Sequence, residues 1–253
     1  MIAIVINIII AATIATATID MKPNRFLHRI SKEEVSRLPL VQFEGEVIVV
    51  NNASCLAVAI DELNQCKVVG VDTETRPSFV HGQRYSTALV QIATEKRCYL
   101  FQLRHIGFPE ELVMFFADPS VCKVGLAFAD DLRGLQRLHP FRPQNCVDVQ
   151  KMVHQYGILD LGLQKIFAIL FGKRISKSQQ LTNWENPVLT PEQARYASTD
   201  AWATLLIYKE LCATRPLYPK MVEILLAEDR QRQIEHQQQV LEQRAQQMHE
   251  VNE

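Results

Sequence analysis

From Gly45 onward, short β-branched runs alternate with amphipathic stretches, and this alternation constrains the fold more than any other feature of the chain. Such a pattern is typical of a layered α/β domain and excludes a helical bundle. Valine, isoleucine and aromatic content between turn residues predicts strands near residues 46–50, 68–74, 87–94, 97–102, 121–126 and 146–149. Amphipathic spacing and start signals predict helices near residues 54–65, 109–117, 130–138, 160–171 and 191–213. For the last of these, the signal is Thr190 followed by Pro191 at the first helical position.

Three of the predicted strands, VVGVDTE, TALVQIAT and RCYLFQL, follow one another with short connections. Short connections favour antiparallel neighbours, whereas parallel strands need a longer crossover. The later strands alternate with helices, as crossovers require. We therefore expect a mixed sheet flanked by helices.

The two ends of the chain differ in composition from this α/β region. Residues 1–19 carry no charge and could cross a bilayer as a helix, but no basic residue precedes them, which disfavours a cleaved signal peptide. We interpret residues 1–20 as a misassigned start or a disordered extension, with a membrane anchor as the alternative. Residues 21–44 form a lead-in, residues 45–215 the α/β domain, and residues 216–253 a polar, Gln-rich helix or disordered tail.

Overall charge and cysteine content say little about what the protein binds or where it is located. The chain has 27 Lys and Arg against 28 Asp and Glu, so any surface for nucleic acid must be a local patch. The 6 cysteines lie apart, without a CxxC pair. Reduced thiols in a cytoplasmic protein are therefore expected.

Two acidic residues end the second predicted strand, within GVDTET. Asp72 and Glu74 are two residues apart, so their side chains project from the same face of a strand. Two neighbouring carboxylates repel each other unless a cation neutralises them. The motif indicates a metal site, with a solvated strand end as the structural alternative.

A second acidic pair follows the fifth predicted strand, in KVGLAFADDLRGLQRL. Acids are favoured in the first turn of a helix by capping and by the helix dipole, so one of the two can be structural. Leu132 and Leu135 would place Asp131 on the inward face of the helix. We assign Asp130 to the cap and Asp131 to the site, and Asp130 remains a possible substitute.

The third element is the long predicted helix RYASTDAWATLLIYKEL. Tyr196 and Asp200 are four residues apart and therefore share one helix face. Asp200 precedes an apolar run, so its face is expected to be buried, and a buried carboxylate needs a partner or a metal. Packing alone is the alternative explanation for the tyrosine.

The ordered set of DxE, an Asp that opens a helix, and YxxxD resembles the DEDDy-type 3′–5′ exonucleases, such as ribonuclease D and the Werner exonuclease domain. The stretch SKSQQLTNWENPVLTPEQARYASTDAW extends the similarity around the third motif, and the match runs from about Gly45 to Ala213. One departure is that some relatives carry Asn ahead of the second-motif Asp, whereas this chain has Leu126 and Phe128 there.

The resemblance implies a ribonuclease H-like α/β fold and removal of nucleoside 5′-monophosphates from the 3′ end of DNA or RNA. By this resemblance the catalytic residues are Asp72, Glu74, Asp131, Tyr196 and Asp200. The four carboxylates would hold two divalent cations, and oxygen ligands favour Mg²⁺ or Mn²⁺. Tyr196 would orient the attacking water, because an ordinary tyrosine pKa of about 10 makes it a poor general base.

Basic residues near these motifs are candidate contacts for the backbone phosphates of a single-stranded or 3′-ended nucleic acid. Solvated loop charge is the alternative, and no small-molecule cofactor is expected. The candidates are Arg76, Arg84, Lys173, Arg174 and Lys177.

Two other functions compete with this interpretation. The first is a catalytically silent nucleic-acid-binding module, although all five site positions are present. The second is a phosphodiesterase acting on very short oligonucleotides.

Overall fold

The structure, a computed structural model, describes residues 21–250 apart from residues 79, 81 and 84. In the last helix, the side chains at 236, 240, 241 and 243–250 are also outside this description. The interpretations of residues 1–20 and of Arg84 therefore concern positions outside the described residues. No helix in the described part of the chain is long and apolar enough to cross a membrane.

Six strands form one mixed sheet, and all six predicted strands are confirmed. In chain order they are β1 Glu46–Val50, β2 Val68–Thr75, β3 Thr87–Ala93, β4 Arg97–Gln102, β5 Cys122–Gly125 and β6 Cys146–Asp148. Their order across the sheet is β1-β4-β3-β2-β5-β6. The predicted mixed α/β fold is confirmed.

The strand directions follow from the lengths of the connections. β2, β3 and β4 are antiparallel neighbours, as their short connections predicted. The β1–β4, β2–β5 and β5–β6 pairs are parallel, and a helix lies between the two strands of each pair along the chain. β2 therefore lies in the middle of the sheet, where neither edge is exposed to solvent.

Five helices correspond to the predicted ones, and the largest difference is at the fourth, which begins at Leu163 and not near residue 160. Asp160 instead accepts a hydrogen bond from the backbone of Ile30 (2.9 Å) and pairs with Lys165 (2.8 Å). Helices of only four to six residues were not predicted, because they are too short to show an amphipathic repeat. The helices are α1 Lys32–Arg37, α2 Ala53–Asn64, α3 Leu103–Ile106, α4 Glu110–Ala117, α5 Phe128–Leu138, α6 Val149–Met152, α7 Leu163–Phe171, α8 Pro191–Ala213 and α9 Pro219–Glu250.

Helices cover both faces of the sheet. On one face, α2, α4 and α5 bury apolar side chains such as Leu63, Phe116 and Leu135 against β2, β3 and β4. On the other face, α7 and α8 pack over the sheet with side chains such as Phe167 and Ala201. The result is a three-layer arrangement in which both sides of the central strands are apolar.

Close contact between α8 and β2 depends on small residues. A Cβ at Gly70 would lie 2.0 Å from the carbonyl oxygen of Ala201, so a larger residue would push the helix away. Ala197 and Ala201 on the helix are themselves completely buried. The contact brings this part of α8 against the strand that carries Asp72 and Glu74.

The lead-in and the last helix are attached to the α/β domain. Lys22 exchanges backbone hydrogen bonds with Ala213 and Arg215, and Val41 donates to the carbonyl of Arg174. Arg29 binds the carboxylate of Asp229 in α9 through two hydrogen bonds. Residues 219–250 thus form a helix that is tied to the lead-in at Asp229, whereas the sequence had left open a helix or a disordered tail.

Candidate active site

Two carboxylates near the end of β2 project from the face that α8 covers. Asp72 is partly buried and Glu74 is 9% exposed. They alternate with Thr73 along the strand, so Thr73 projects from the opposite face. A bulge between Glu74 and Thr75 ends the regular pairing with β3 directly after this motif.

Helix α8 supplies the other two side chains of the third motif. Its start is fixed by a capping box between Thr190 and Gln193, with Pro191 at the first helical position as predicted. Tyr196 is 7% exposed and Asp200 is 8% exposed, and the tyrosine hydroxyl donates a hydrogen bond to the carboxylate.

The three carboxylates of β2 and α8 converge. One carboxylate oxygen from each of Asp72, Glu74 and Asp200 lies within 4.8 Å of the other two. Oxygen donors at this spacing suit a hard divalent cation. These residues could therefore hold a metal ion directly.

Asp131 lies beside this group and contacts the strand between its two acids. Thr73 donates a hydrogen bond of 2.5 Å from its hydroxyl to Asp131. The negative charge of Asp131 contributes to raising the pKa of both Asp72 and Glu74. Asp131 thus belongs to the site electrostatically but is not one of the three converging ligands.

Asp130 points away from the site. Its side chain is 74% exposed and forms an ion pair with Arg133. The expected capping role of Asp130 is wrong, because α5 begins at Phe128 and its N-cap is Ala127, which has no capping side chain. Asp130 therefore lies within the first turn of the helix.

The turn before α5 is held by an aspartate that the sequence analysis missed. Ala127 has a left-handed backbone (φ 53°), which is uncommon for a residue with a side chain. Its N–H donates to Oδ1 of Asp148 (2.9 Å), and the N–H of Gln150 donates to the same oxygen (3.0 Å). Asp148 is the last residue of the short strand β6, and that position was the available sequence signal.

Burial raises the pKa of every carboxyl group in the site, and repulsion by neighbouring acids adds to the shift at Asp72 and Glu74. For Asp72, burial raises the pKa well above its ordinary value, and the charges of Glu74, Asp131 and Asp200 add to the shift. Burial and the charges of Asp200 and Asp131 raise the pKa of Glu74 to about 9. Without a cation, the site therefore resists holding all of its negative charges.

The pKa shifts of Asp200 and Asp131 are smaller, and burial is again their largest cause. Burial raises the pKa of Asp200 to about 7, opposed by the hydrogen bond from Tyr196 and by the charge of Lys177. Burial raises the pKa of Asp131 to about 6, opposed by the hydrogen bond from Thr73. Burial, followed by the charge of Asp200, raises the pKa of Tyr196, so its phenol stays protonated.

A cavity of about 320 Å³ opens over the carboxylates and Tyr196. Its other polar lining comes from α7, from the loop after it and from α8, and apart from Lys177 these residues were not candidates from the sequence. These residues are Gln164, Ser176, Lys177, Gln180 and Thr204.

Of the basic residues proposed from sequence, the structure brings Lys177 to the cavity. Arg76 instead contacts Glu185 (3.2 Å) and stacks over the ring of Tyr85. Arg174 donates to the carbonyl of Leu38 and thereby anchors the lead-in. Lys173 is exposed on the same loop.

The fold and the carboxylate cluster together define a ribonuclease H-like α/β domain with a site suited to divalent metal. The sequence matches the 3′–5′ exonuclease family over residues 47–214. The chain belongs to this 3′–5′ exonuclease family, and the predicted resemblance to its DEDDy members is confirmed.

The chain spans only part of the length of the relatives that it matches. The mouse (Mus musculus) "Bifunctional 3'-5' exonuclease/ATP-dependent helicase WRN" is 30% identical over 184 residues, which is 69% of this chain and 13% of the relative. RNase D of Escherichia coli is 23% identical with a TM-score of 0.57, covering 66% of this chain and 44% of that one. Trypanosoma brucei RNase D in complex with RNA U12 is 18% identical with a TM-score of 0.62, covering 74% and 70%. These two structures support the fold.

Proposed function

We propose that this chain is a 3′–5′ exonuclease that hydrolyses the terminal phosphodiester bond of a nucleic acid and releases nucleoside 5′-monophosphates. The observation that carries the proposal is the convergence of Asp72, Glu74 and Asp200 from a central strand and a distant helix within 4.8 Å. Membership of the 3′–5′ exonuclease family supports the same reaction.

The donor set fits two divalent cations, Mg²⁺ or Mn²⁺. Asp72, Glu74 and Asp200 would be direct ligands, and Asp131 would support the second position. When bound, such cations lower the pKa of water and neutralise charge on the phosphate oxygens. The carboxylates in turn are neutralised, which offsets their mutual repulsion and burial.

Tyr196 acts as a positioning group in this proposal. Its pKa is raised, chiefly by burial, so the phenol does not act as a base at neutral pH. The hydroxyl lies at the edge of the cavity and donates to Asp200. It can therefore fix the orientation of that carboxylate and of a water molecule next to it.

Lys177 supplies positive charge at the cavity. Its charge already lowers the pKa of Asp200, which places it within electrostatic reach of a phosphate bound at the carboxylates. Contacts to phosphate do not depend on base sequence. The proposed substrate is therefore a single strand or a frayed 3′ end. Because a structural neighbour was solved in complex with RNA, the proposal includes RNA as well as DNA.

Digestion of matched DNA and RNA strands tests this function. A strand labelled at its 5′ end should shorten one nucleotide at a time in Mn²⁺ or Mg²⁺ and stay intact in chelator, because the carboxylates need the cation. A circular strand, which has no 3′ end, should resist. Asp200→Asn protein purified in parallel controls for contaminating nuclease.

Failure to shorten any linear strand in Mn²⁺ would contradict the proposal and support a silent binding module. Turnover restricted to substrates of a few nucleotides would identify an oligonucleotide phosphodiesterase instead. A series of strand lengths separates the two outcomes.

The two neighbouring acids of α5 provide a matched pair of variants. Asp131→Asn should lower turnover by about 10- to 100-fold, because it removes a negative charge beside the metal ligands and leaves Thr73 a neutral amide oxygen as its acceptor. Asp130→Asn should change turnover by less than about twofold, since its exposed ion pair with Arg133 contributes little. Initial rates on the same labelled strand measure both, and a larger loss in Asp130→Asn would show that the assignment is reversed.

A further inference from the structure

Gln91 is a completely buried polar residue in the middle of β3, between apolar neighbours in the sequence TALVQIA. Neither its amide nitrogen nor its amide oxygen has a hydrogen-bond partner among the described residues. A buried amide without a partner is unfavourable, whereas an apolar side chain of the same size would be accommodated at no such cost. The fold alone therefore gives no reason for a glutamine here.

The strand register places Gln91 directly opposite Asp72. Residues that are paired across antiparallel strands project from the same face, with Cβ atoms about 4.5–5.5 Å apart. The amide of Gln91 is long enough to reach a carboxylate across that distance. It thus lies beside the metal-binding group and does not line the cavity.

The other neighbours of Gln91 on this face are mostly apolar. Leu89 and Ala93 flank Gln91 on its own strand, and Leu100 is paired with it on β4. Ala197 and Ala201 of α8 complete the same apolar cluster. The strand register places two acidic residues next to Gln91, Asp72 directly opposite and Glu74 on the diagonal.

We propose that Gln91 is a positioning residue for Asp72, and this inference rests on the metal-dependent function proposed above. Its amide N–H₂ donates to the Asp72 carboxylate when that group is ionised and engaged with metal. The hydrogen bond fixes the carboxylate orientation and leaves its other lone pairs for ligation. Partners of this kind behind a metal ligand typically change metal affinity or activity by about 10- to 100-fold.

The variant Gln91→Met removes the amide and keeps an unbranched side chain of similar size. The full chain should then need at least about 10-fold more Mn²⁺ for half-maximal turnover, and Mn²⁺ binding followed by electron paramagnetic resonance should weaken by a similar factor. The melting temperature of the metal-free protein should stay equal or rise, because the unpartnered amide is gone. A residue with a purely structural role would lower the melting temperature and leave the Mn²⁺ requirement unchanged.

Gln102 provides the matched control. It is a second buried glutamine on the same face of the sheet, paired with Leu89 and not with an acid, and its amide lies 3.5 Å from the carbonyl of Pro187. Gln102→Met should leave the Mn²⁺ requirement within about twofold. A second replacement, Gln91→Leu, should reproduce the weakened metal binding if methionine disturbs packing.

The outcomes separate this inference from the proposed function. If wild-type protein neither binds Mn²⁺ nor digests nucleic acid, the proposed function fails and the inference fails with it. If wild type is active and both Gln91 variants bind Mn²⁺ as wild type does, only the role of Gln91 is overturned. Weakened Mn²⁺ binding in the Gln91 variants, with Gln102→Met unaffected, supports it.

Discussion

Asp200→Asn is expected to reduce exonuclease turnover by at least about 10³-fold. Asp200 is one of the three carboxylates that converge within 4.8 Å, and it also accepts the hydrogen bond of Tyr196. Metal ions at such a site contribute several kcal/mol of charge stabilisation, and each ~1.4 kcal/mol corresponds to a factor of ten in rate. Single-turnover digestion of a 5′-labelled strand in Mn²⁺ measures the loss directly.

The same substitution should not damage the fold. An asparagine has nearly the shape of the aspartate and removes one buried negative charge from a group whose members repel one another. The metal-free variant should melt at the wild-type temperature or higher. Activity and stability thus change in opposite directions, which distinguishes a functional carboxylate from a structural one.

Asp229→Asn serves as the control for a buried aspartate outside the site. Asp229 is 9% exposed and pairs with Arg29, which ties the lead-in to α9. Its replacement should lower the melting temperature and keep turnover within about twofold. If Asp200→Asn retained wild-type turnover in the same assay, the assignment of the site would be wrong.

Removing metal is expected to make stability strongly dependent on pH. An unfolded carboxyl group loses its proton near pH 4, at its ordinary pKa of about 4. In the metal-free fold, burial holds the pKa of Asp200 at about 7 and that of Glu74 at about 9. Between about pH 4 and pH 9 the folded state binds more protons than the unfolded state, so the free energy of unfolding falls as pH rises.

The expected loss is large enough to measure by thermal unfolding. A shift of about three pKa units at Asp200 corresponds to roughly 4 kcal/mol, or roughly 10 °C in melting temperature for a chain of this size. About two of these three units fall between pH 5 and pH 9, roughly 3 kcal/mol, and Glu74 adds to the loss. The metal-free protein should therefore melt at least roughly 10 °C lower at pH 9 than at pH 5. Asp200→Asn should show a clearly smaller decrease, which separates the site from all other titrating groups.

Divalent cations should reverse this decrease. Metal binding requires ionised carboxylates, so it becomes tighter as pH rises and releases protons from the site. Saturating Mn²⁺ should raise the melting temperature most at high pH and little at pH 5. Equal stabilisation by Mn²⁺ in wild type and Asp200→Asn would contradict a metal site at these residues.

The local parts of the site followed from the sequence because backbone geometry fixes them. Alternation along a strand places Asp72 and Glu74 on one face, and the helical repeat places Tyr196 and Asp200 one turn apart. The capping residues Thr190 and Pro191 likewise predicted the start of α8. Periodicity also predicted all six strands and the antiparallel order of β2, β3 and β4.

Contacts between residues far apart in sequence could be seen only in the folded structure. Arg174 contacts the lead-in, Asp148 holds the backbone of Ala127, and Asp130 is exposed. These positions depend on packing between segments that are far apart in sequence. The sequence placed Asp130 at a helix start two residues later than the observed one, because the left-handed backbone at Ala127 has no glycine to signal it.

By itself, then, the sequence determined the class of fold, the family and the faces on which the acids lie, since these depend on repeats of two or 3.6 residues. Tertiary structure decided which acids approach within 4.8 Å, which basic residue faces them and which buried amide lies opposite Asp72. Those distances are set by strand register and by the close packing of α8 on Gly70, and neither is encoded in any single segment.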